Sequence, residues 1–307
     1  MRYVGFGRES AQGNPVVPQV YVDPRRVEAT PVVEEQVIGT IATRFPQLKH
    51  LGGVRAEGEI EGLFGPDTFS MLVLEMVLGK TETTTSEDYN VYNFSPLEVG
   101  ETPNTYTIEL RDGSIVRSIA GAFGDSMELN LRPDEPVYAS LSFLALNELP
   151  GTTRTPTFSR THTVRPEDVI CMIAGETVEL DELTLKLENH LSSDHYTIGS
   201  RTLNRHELGE FSVTGTFSAR FGSRAHLDRF LNGQEASLLI RMRSGTVAAG
   251  IDREVVVELP RVYYSTWSCE VVPSERSVQE VEFRALATSG RDPPVRFRVQ
   301  TEEQLPG

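Results

Sequence analysis

The chain has 307 residues, of which 38% are hydrophobic and 24% are charged, and its formal net charge is −15 at pH 7. This length suffices for one large or two medium domains, and the composition is ordinary for a soluble globular protein. The acidic balance argues against a protein that grips nucleic acid or an anionic membrane, because both are themselves negatively charged. We expect neither a secretory signal nor a membrane span, since the first residues lack an apolar segment and no apolar run approaches ~18 residues.

The N-terminal residues 1–30 are rich in proline, which disfavours a packed element and predicts an extended arm. The prolines are Pro15, Pro18 and Pro24. Residues 32–44 are the candidate first strand of a domain that we place at 31–149.

Residues 54–80 combine a strand, a tight turn and a helix. The strand alternates with period two, so Glu57, Glu59 and Glu61 share one face while small and apolar residues take the other. Pro66 suits a first helical turn, and Gly79 stands where a left-handed C-cap is expected. The helix between them carries an apolar stripe of Phe69, Leu72, Val73, Met76 and Val77.

Three further residues of this helix, Met71, Leu74 and Leu78, lie off the stripe and are also apolar. A helix that is apolar on more than one side needs more than one partner. We therefore predict that these three residues contact a neighbouring subunit.

The glutamate row has two interpretations. Three carboxylates on one strand face could be an ordinary solvated outer surface. They could equally belong to a surface that is meant to be negative, because repulsion between close like charges must be tolerated for some reason. Both interpretations stay open at this point.

A long polar segment, residues 80–104, follows the helix and has little helical or strand periodicity. A structureless loop of this length inside a domain is usually functional or mobile. Short strands are predicted near 105–111, 115–120, 126–131 and 137–146. Residues 150–166 contain several prolines and form the predicted linker.

The second half repeats features of the first. Gly58, Phe64, Gly65 and Gly79 match Gly215, Phe221, Gly222 and Gly233, and Ser223 is the candidate N-cap of a second helix. Further along, TYTIEL and VYASLSFLAL have counterparts in EVVVEL and VQEVEFRAL. We infer a duplicated unit, with a second domain at 167–288 and a polar tail at 289–307. The predicted fold is all-β with short flanking helices, as two tandem β-sandwich or barrel domains.

Catalytic and metal-binding patterns are weak. AFGDSM around Ser126 resembles the start of a serine-esterase block, but no D-x-x-H follows, and the alternating residues after it predict a strand. His190, His195 and His206 fit no standard zinc spacing. The two cysteines, Cys171 and Cys269, predict free buried thiols, with a disulfide as an open alternative. We expect no catalytic, cofactor-binding or metal-binding residues.

The pattern GFGRES near the start, followed by V-x-A-E-G-E-I-E-G, P-D-T-F and L-x-x-V-L-G, resembles the tail tube proteins of long-tailed phages and related viruses. The repeated G-x-F and F-L-N-G elements of the second half extend the likeness over most of the chain. The resemblance implies β-sandwich or barrel domains with a flanking helix. It also implies self-assembly into stacked rings that form a hollow tail tube with an acidic lumen.

Two tube domains in one chain favour three chains per ring, with six chains as the alternative. The resemblance also implies a virion tail location, preceded by the host cytoplasm, and partners such as the tape measure and tail terminator proteins. DNA would pass without specific binding along a wall that includes Glu57, Glu59 and Glu61. Two other functions stay open: a virion receptor- or carbohydrate-binding β-sandwich using Tyr89, Tyr92 and Phe94, and an esterase using Ser126.

Overall fold

The computed structural model describes residues 2–38, 45–46, 48–248, 250–270, 277–290 and 292–306. Throughout this part of the chain the named strands pair only in antiparallel ladders, and they are accompanied by two α-helices. The predicted all-β fold with short flanking helices is confirmed. Neither described helix is long and apolar enough to cross a membrane.

The first half contains ten strands and one helix within its described residues. They are β1 (Arg2–Arg8), β2 (Val20–Val22), β3 (Arg26–Ile38), β4 (Leu48–Leu63), α1 (Thr68–Leu78), β5 (Gly79–Thr85), β6 (Asn90–Pro96), β7 (Tyr106–Asp112), β8 (Ile115–Leu131), β9 (Tyr138–Ala145) and β10 (Asn147–Pro150). The candidate first strand at 32–44 overlaps β3 as far as Ile38, and residues 39–44 lie outside the described part.

The second half contains eight strands, one helix and a short 3-10 turn (Pro166–Asp168) within its described residues. They are β11 (Val169–Ile173), β12 (Glu176–Thr177), β13 (Glu182–Glu188), β14 (Ser212–Arg220), α2 (Ala225–Leu231), β15 (Ala236–Ala248), β16 (Ile251–Glu270), β17 (Val278–Ala285) and β18 (Arg296–Thr301).

The two halves share one strand order. In the first half it runs β2-β1-β7-β8-β9-β4-β3. In the second half it runs β12-β11-β15-β16-β17-β14-β13. In both halves the helix follows the strand that is fourth along the chain: α1 follows β4, and α2 follows β14. This is the arrangement that a duplicated unit would produce.

Local irregularities repeat as well. A β-bulge interrupts β8 between Gly124 and Ser126, and another interrupts β16 between Tyr264 and Thr266. Gly58 lies opposite Phe143, just as Gly215 lies opposite Phe283. In each case a Cβ on the glycine would overlap the phenylalanine ring and a carbonyl oxygen of the next strand.

One of the sequence matches between the halves joins strands that are not equivalent in the sheet. TYTIEL lies in β7 and EVVVEL lies in β16, yet β7 and β15 hold the equivalent sheet positions. Both segments alternate apolar residues in the same way, so the pattern alone does not identify the strand. The match of VYASLSFLAL with VQEVEFRAL does join equivalent strands, β9 and β17.

The N-terminal residues differ from the predicted extended arm. β1 pairs along its whole length with β7, and Val4 and Phe6 are buried. Pro15 and Pro18 lie in the connection after β1, where the chain has no regular structure. The prolines therefore indicate the irregular connection after β1, and β1 itself is a paired strand.

The polar segment 80–104 is not structureless. β5 and β6 form an antiparallel hairpin, and β6 also pairs with β18 of the C-terminal tail. Threonine-rich and alternating polar residues form these strands because one hairpin face is buried, with Tyr92 and Phe94 at 5% and 1% exposure.

The hairpin explains the apolar surplus of α1. This helix contacts β5 and β6 on one side and β8 and β9 on the other, and every one of its residues is buried. Met71, Leu74 and Leu78 have no exposed surface. The prediction that they contact a neighbouring subunit is therefore wrong for the folded chain, since the chain's own hairpin is the second partner.

The ends of α1 are capped. The Asp67 carboxylate accepts a hydrogen bond from the Ser70 amide at 3.0 Å and another from the His162 amide at 3.1 Å. Burial raises the pKa of Asp67 to about 6 against these hydrogen bonds, which lower it. Gly79 ends the helix at φ 79°, as predicted.

The second helix is less firmly held. Arg224 takes the N-cap position without a side-chain hydrogen bond, and the predicted cap, Ser223, accepts only a long 3.4 Å bond from the Ala225 amide. The second half has no counterpart of the β5–β6 hairpin among its described residues. Accordingly His226 is the one buried residue of α2, and Leu231 is 63% exposed.

Candidate functional site, a polar face of a joined sheet

The two halves meet edge to edge through strands. The second part of β8, Ser126 to Leu131, pairs with β13 in the register Met127 opposite Leu187 and Leu129 opposite Leu185. The strands that pair on either side of β8 and β13 extend this contact into one sheet, with the order β3-β4-β9-β8-β13-β14-β17-β16. Eight strands from both halves thus form a continuous antiparallel sheet.

This joined sheet has one buried and one polar face, because side chains alternate along each strand. The buried face packs toward α1, α2 and the other strands. It carries Ala56, Ile60, Met127, Leu129, Ala139, Leu141, Phe143, Leu183, Leu185, Leu187, Val213, Phe217, Val281 and Phe283.

The glutamate row lies on the polar face. Glu59 is opposite Glu28 on one side and Ser142 on the other, and Glu57 and Glu61 flank it on β4. The side chains of Glu57, Glu59 and Glu61 are 46%, 41% and 27% exposed. The sequence expectation that all three share an exposed face thus agrees with the ladder.

Each glutamate of the row has an arginine nearby, and the alternation of β4 could have indicated only one of them, Arg55. Arg55 Nε lies 2.7 Å from Glu57, and Arg25 Nη1 lies 3.2 Å from Glu61. Arg26 Nη1 is 4.0 Å from Glu59. These partly exposed pairs relieve repulsion within the row, although each contributes little to stability.

Carboxylates outnumber basic groups over the whole polar face. The carboxylates are Glu28, Glu57, Glu59, Glu61, Glu128, Glu182, Glu188, Glu270, Glu280 and Glu282. The basic side chains on or beside this face are Arg25, Arg26, Arg55, Arg132, Lys186, Arg220 and Arg284. The β14 row of Ser212, Thr214, Thr216 and Ser218 is neutral, as its sequence indicated.

The residues considered for catalysis and metal binding are not brought together. Ser126 lies within β8, opposite Ser142 and Glu188 on this face, so the strand interpretation of AFGDSM is confirmed. The candidate histidines have separate partners: His190 with the Glu210 carbonyl, His195 with Glu207 and His206 with the Gly121 carbonyl. Burial lowers the pKa of His206.

One group in the described chain has ligand atoms close enough for a metal ion. His162 Nε2 lies 3.9 Å from Glu302 and 3.5 Å from Glu303. However, Arg253 Nε donates to both Glu302 oxygens at 2.7 and 2.9 Å. This guanidinium already neutralises the carboxylate and lowers its pKa, so the group is better described as an ion-pair cluster joining the linker to the tail.

Other sequence candidates are buried. Of the three candidate aromatics of a receptor-binding surface, Tyr92 and Phe94 face the interior against α1 and the tail, whereas Tyr89 is partly exposed. Cys171 is buried and free, with a pKa raised to about 11 by burial, and Cys269 is half-buried and free. Both thiols are free as predicted, but only that of Cys171 is buried.

Glu75, a fully buried carboxylate within α1, was not among the residues predicted from the sequence. The Tyr106 hydroxyl donates to it, and Arg8 Nη1 lies 3.5 Å away. Burial raises the pKa of Glu75, while the hydroxyl and the guanidinium lower it. The contact fastens α1 to β7 and β1, which is a structural role. The only sequence signal for this role is that Glu75 is a charged residue in an otherwise apolar helix.

Comparison with known proteins gives one family. Residues 2–295 match the family model described as phage tail tube protein. No curated protein matches the chain.

Proposed function

This chain belongs to the phage tail tube protein family, and we propose that three copies of it close into a ring whose stacking builds a hollow tube for DNA. Membership makes it a structural component of the virion tail. The proposal adds the number of chains, the surface that lines the channel and the passage of DNA.

The repeated strand order supports three chains per ring, because the resemblance implies rings with six tube domains. Each half presents the same set of strands, and within one chain the halves are already joined edge to edge through β8 and β13. A head-to-tail contact of this kind generates a ring when its rotation closes. Three chains would supply six equivalent units. Six chains would supply twelve.

The two faces of the joined sheet support the proposed lining. One face is closed by α1, α2 and the buried core, so only the polar face is free to border water. We place Glu57, Glu59 and Glu61 on the lumen wall. Duplex DNA carries one charge per about 1.7 Å of axis, and a wall of like charge does not hold it by counterion release.

Other parts of the proposal rest on the family alone. The length of a tail tube must be set and its assembly must be terminated. The expected partners besides the chain itself are therefore the tape measure and tail terminator proteins. Folding in the host cytoplasm would precede incorporation into the tail. The burial of Tyr92 and Phe94, two of its three candidate aromatics, disfavours the alternative of a receptor- or carbohydrate-binding protein.

Negative-stain microscopy and native mass measurement of the purified chain test this function. We expect rings or tubes with three chains in each ring and six similar lobes around the channel. Six chains per ring would contradict the ring size but leave a tube protein. A chain that stays monomeric at all concentrations and salt conditions would contradict self-assembly itself.

A further inference from the structure

The linker between the halves covers a groove in the first half. This groove lies between β2 and the turn that leads into α1. Phe158 of the linker forms a parallel bridge with Tyr21 of β2, and the Ser159 amide donates to the Tyr21 carbonyl at 2.9 Å. Farther along, the His162 amide donates to the Asp67 carboxylate at 3.1 Å. The linker thus adds a short strand contact to a sheet edge and then passes over the start of the helix.

The turn beneath the linker is closely packed. Phe64 and Gly65 are buried there, and Val164 of the linker has no exposed surface. A Cβ on Gly65 would lie 2.0 Å from the His162 carbonyl oxygen. Glycine at this position therefore lets the linker backbone approach the turn.

The equivalent turn of the second half is open. Phe221 and Gly222 hold the positions of Phe64 and Gly65, and both are exposed. A Cβ on Gly222 would meet no atom of the described residues within 4 Å. β12, the counterpart of β2, pairs only with β11 among the described strands. The second half thus has the same strand edge and the same turn, without a covering segment in the described chain.

A groove of about 590 Å³ lies at this place, and we call it the second-half groove. One wall is the segment from β12 to β13, and the other is the turn with Gly222 and Ser223. Its base is apolar, since Ala219 is buried and Val178 and Leu180 pack against the core. The groove therefore offers an extended segment both a strand edge and apolar contacts.

The wall beside β12 is negatively charged. Glu176 and Glu179 are exposed there, and neither has a basic partner among the described residues. On the opposite wall Arg220 lies 3.8 Å from Asp181, so its charge is already paired. A basic occupant would complement the two free carboxylates.

The segment that fills the first-half groove is itself basic. Residues 157–166, with the sequence TFSRTHTVRP, contain Arg160, His162 and Arg165 and no acidic residue. An added strand gains affinity from main-chain hydrogen bonds, and alternate side chains give it specificity. The linker therefore shows which chemistry this kind of groove accepts.

We propose that the second-half groove binds an extended basic segment of another protein of the virion tail. This segment runs along β12 and over Gly222, as the linker runs along β2 and over Gly65. The chain's own linker is already used in the first half, which favours a different polypeptide over a second copy. β12 is not a strand of the joined sheet, so the binding does not depend on the number of chains in a ring.

A synthetic peptide of residues 157–166, blocked at both ends and labelled with fluorescein, is the probe. Fluorescence anisotropy with dispersed intact chain should show saturable binding of one peptide per chain, which weakens as salt rises. The control peptide carries glutamate in place of Arg160 and Arg165 and should bind more weakly. Absence of saturable binding of the basic peptide up to about 1 mM would overturn the proposal, as would equal binding of the two peptides.

Gly222→Ala locates the contact. The added methyl should weaken binding of the basic peptide by about tenfold or more, because the equivalent Cβ on Gly65 would overlap the linker carbonyl. The stability of the free chain should not change. Gly290→Ala is the matched control, since its Cβ also meets no atom within 4 Å, and it should keep native affinity. Native affinity in Gly222→Ala would place the peptide elsewhere and overturn the proposal.

Charge reversal tests the negatively charged wall. Glu176→Lys combined with Glu179→Lys should weaken binding of the basic peptide and strengthen binding of the glutamate peptide. Damage to the fold would weaken both, so only the reversed preference supports the assignment. An unchanged preference would overturn it.

Thiol labelling distinguishes another protein from a second copy. Gly222→Cys in a Cys269→Ser background should be alkylated equally in dispersed chains and in tubes of the purified chain, while Cys171 stays buried. Protection of the new thiol in tubes would assign the groove to a second copy and overturn the proposed partner. Failure to form tubes would contradict the proposed function, and the peptide measurements on dispersed chains would still decide this proposal.

Discussion

Two glycines show how single residues fix the repeated architecture. Gly58 and Gly215 each lie under a phenylalanine ring of the neighbouring strand and beside a backbone carbonyl, which leaves no room for a side chain. Sequence comparison of the halves found both glycines as matched positions. It could not show why they were glycine, because the ring that fills the space belongs to a strand far along the chain.

Gly58→Ala should destabilise the chain by about 1–3 kcal/mol, because an added methyl in a packed site forces the ring or the backbone to shift. Chemical denaturation followed by fluorescence would measure the loss. Gly222→Ala is the matched control, since a Cβ there meets nothing within 4 Å and should change stability by less than about 0.5 kcal/mol. Equal midpoints for the two variants would contradict the packing argument.

The glutamate row marks what residue patterns could and could not predict. Alternation placed Glu57, Glu59 and Glu61 on one exposed face because the strand period is two. Arg55 lies on β4 two residues before Glu57 and shares its face, whereas Arg25 and Arg26 reach the row only after β3 aligns with β4. Charge repulsion was therefore overestimated from the sequence.

At the scale of elements, α1 carried a correct signal with an incorrect interpretation. Its surplus of apolar residues did indicate a second packing partner. The partner is the β5–β6 hairpin, whose polar composition hid its strands, since only alternate residues such as Tyr92 and Phe94 face inward. Strand prediction failed there because one half-buried hairpin offers few apolar positions to count.

This hairpin yields an element-scale prediction. Phe94 is 1% exposed and lies between β5 and β18, opposite Thr81 and Phe297. Phe94→Ala should lower the free energy of unfolding by about 3–5 kcal/mol, because it leaves a cavity beside α1. Proteolysis after α1 should accelerate as well. Asn93→Ala, on the exposed face of the same strand, should have little effect, and a similar loss in both variants would show that the hairpin does not cover the helix.

At the scale of the whole molecule, the sequence repeats indicated two units but did not indicate that the units pair through β8 and β13. The match of glycines and phenylalanines came from positions with the same packing in both halves. Nothing in the sequence pattern identified β8 and β13 as neighbours, because pairing between distant strands depends on which edges remain free after each half folds.

The joined sheet leads to a prediction about DNA passage. Replacing Glu57, Glu59 and Glu61 together by lysine would place positive charge on the face that we assign to the lumen. Tubes should still form, because the row is exposed and its ion pairs contribute little to the fold. DNA ejection from virions carrying the variant should slow or stop, since lysines that neutralise phosphates release counterions and hold the strand. The block should weaken as salt rises, which a change in tube shape would not explain.

Two controls isolate the charge on this face. Glutamine at the three positions removes the negative charge without adding a positive one, and ejection should stay close to that of the native tube. Lysine at Glu87, Asp88 and Glu101 makes the same charge change at exposed positions away from the joined sheet, and it should leave ejection unchanged. Native ejection rates from the Glu57, Glu59 and Glu61 lysine variant would place the row outside the channel. The polar face would then be the outer surface of the tube, and another part of the chain would line the path of the DNA.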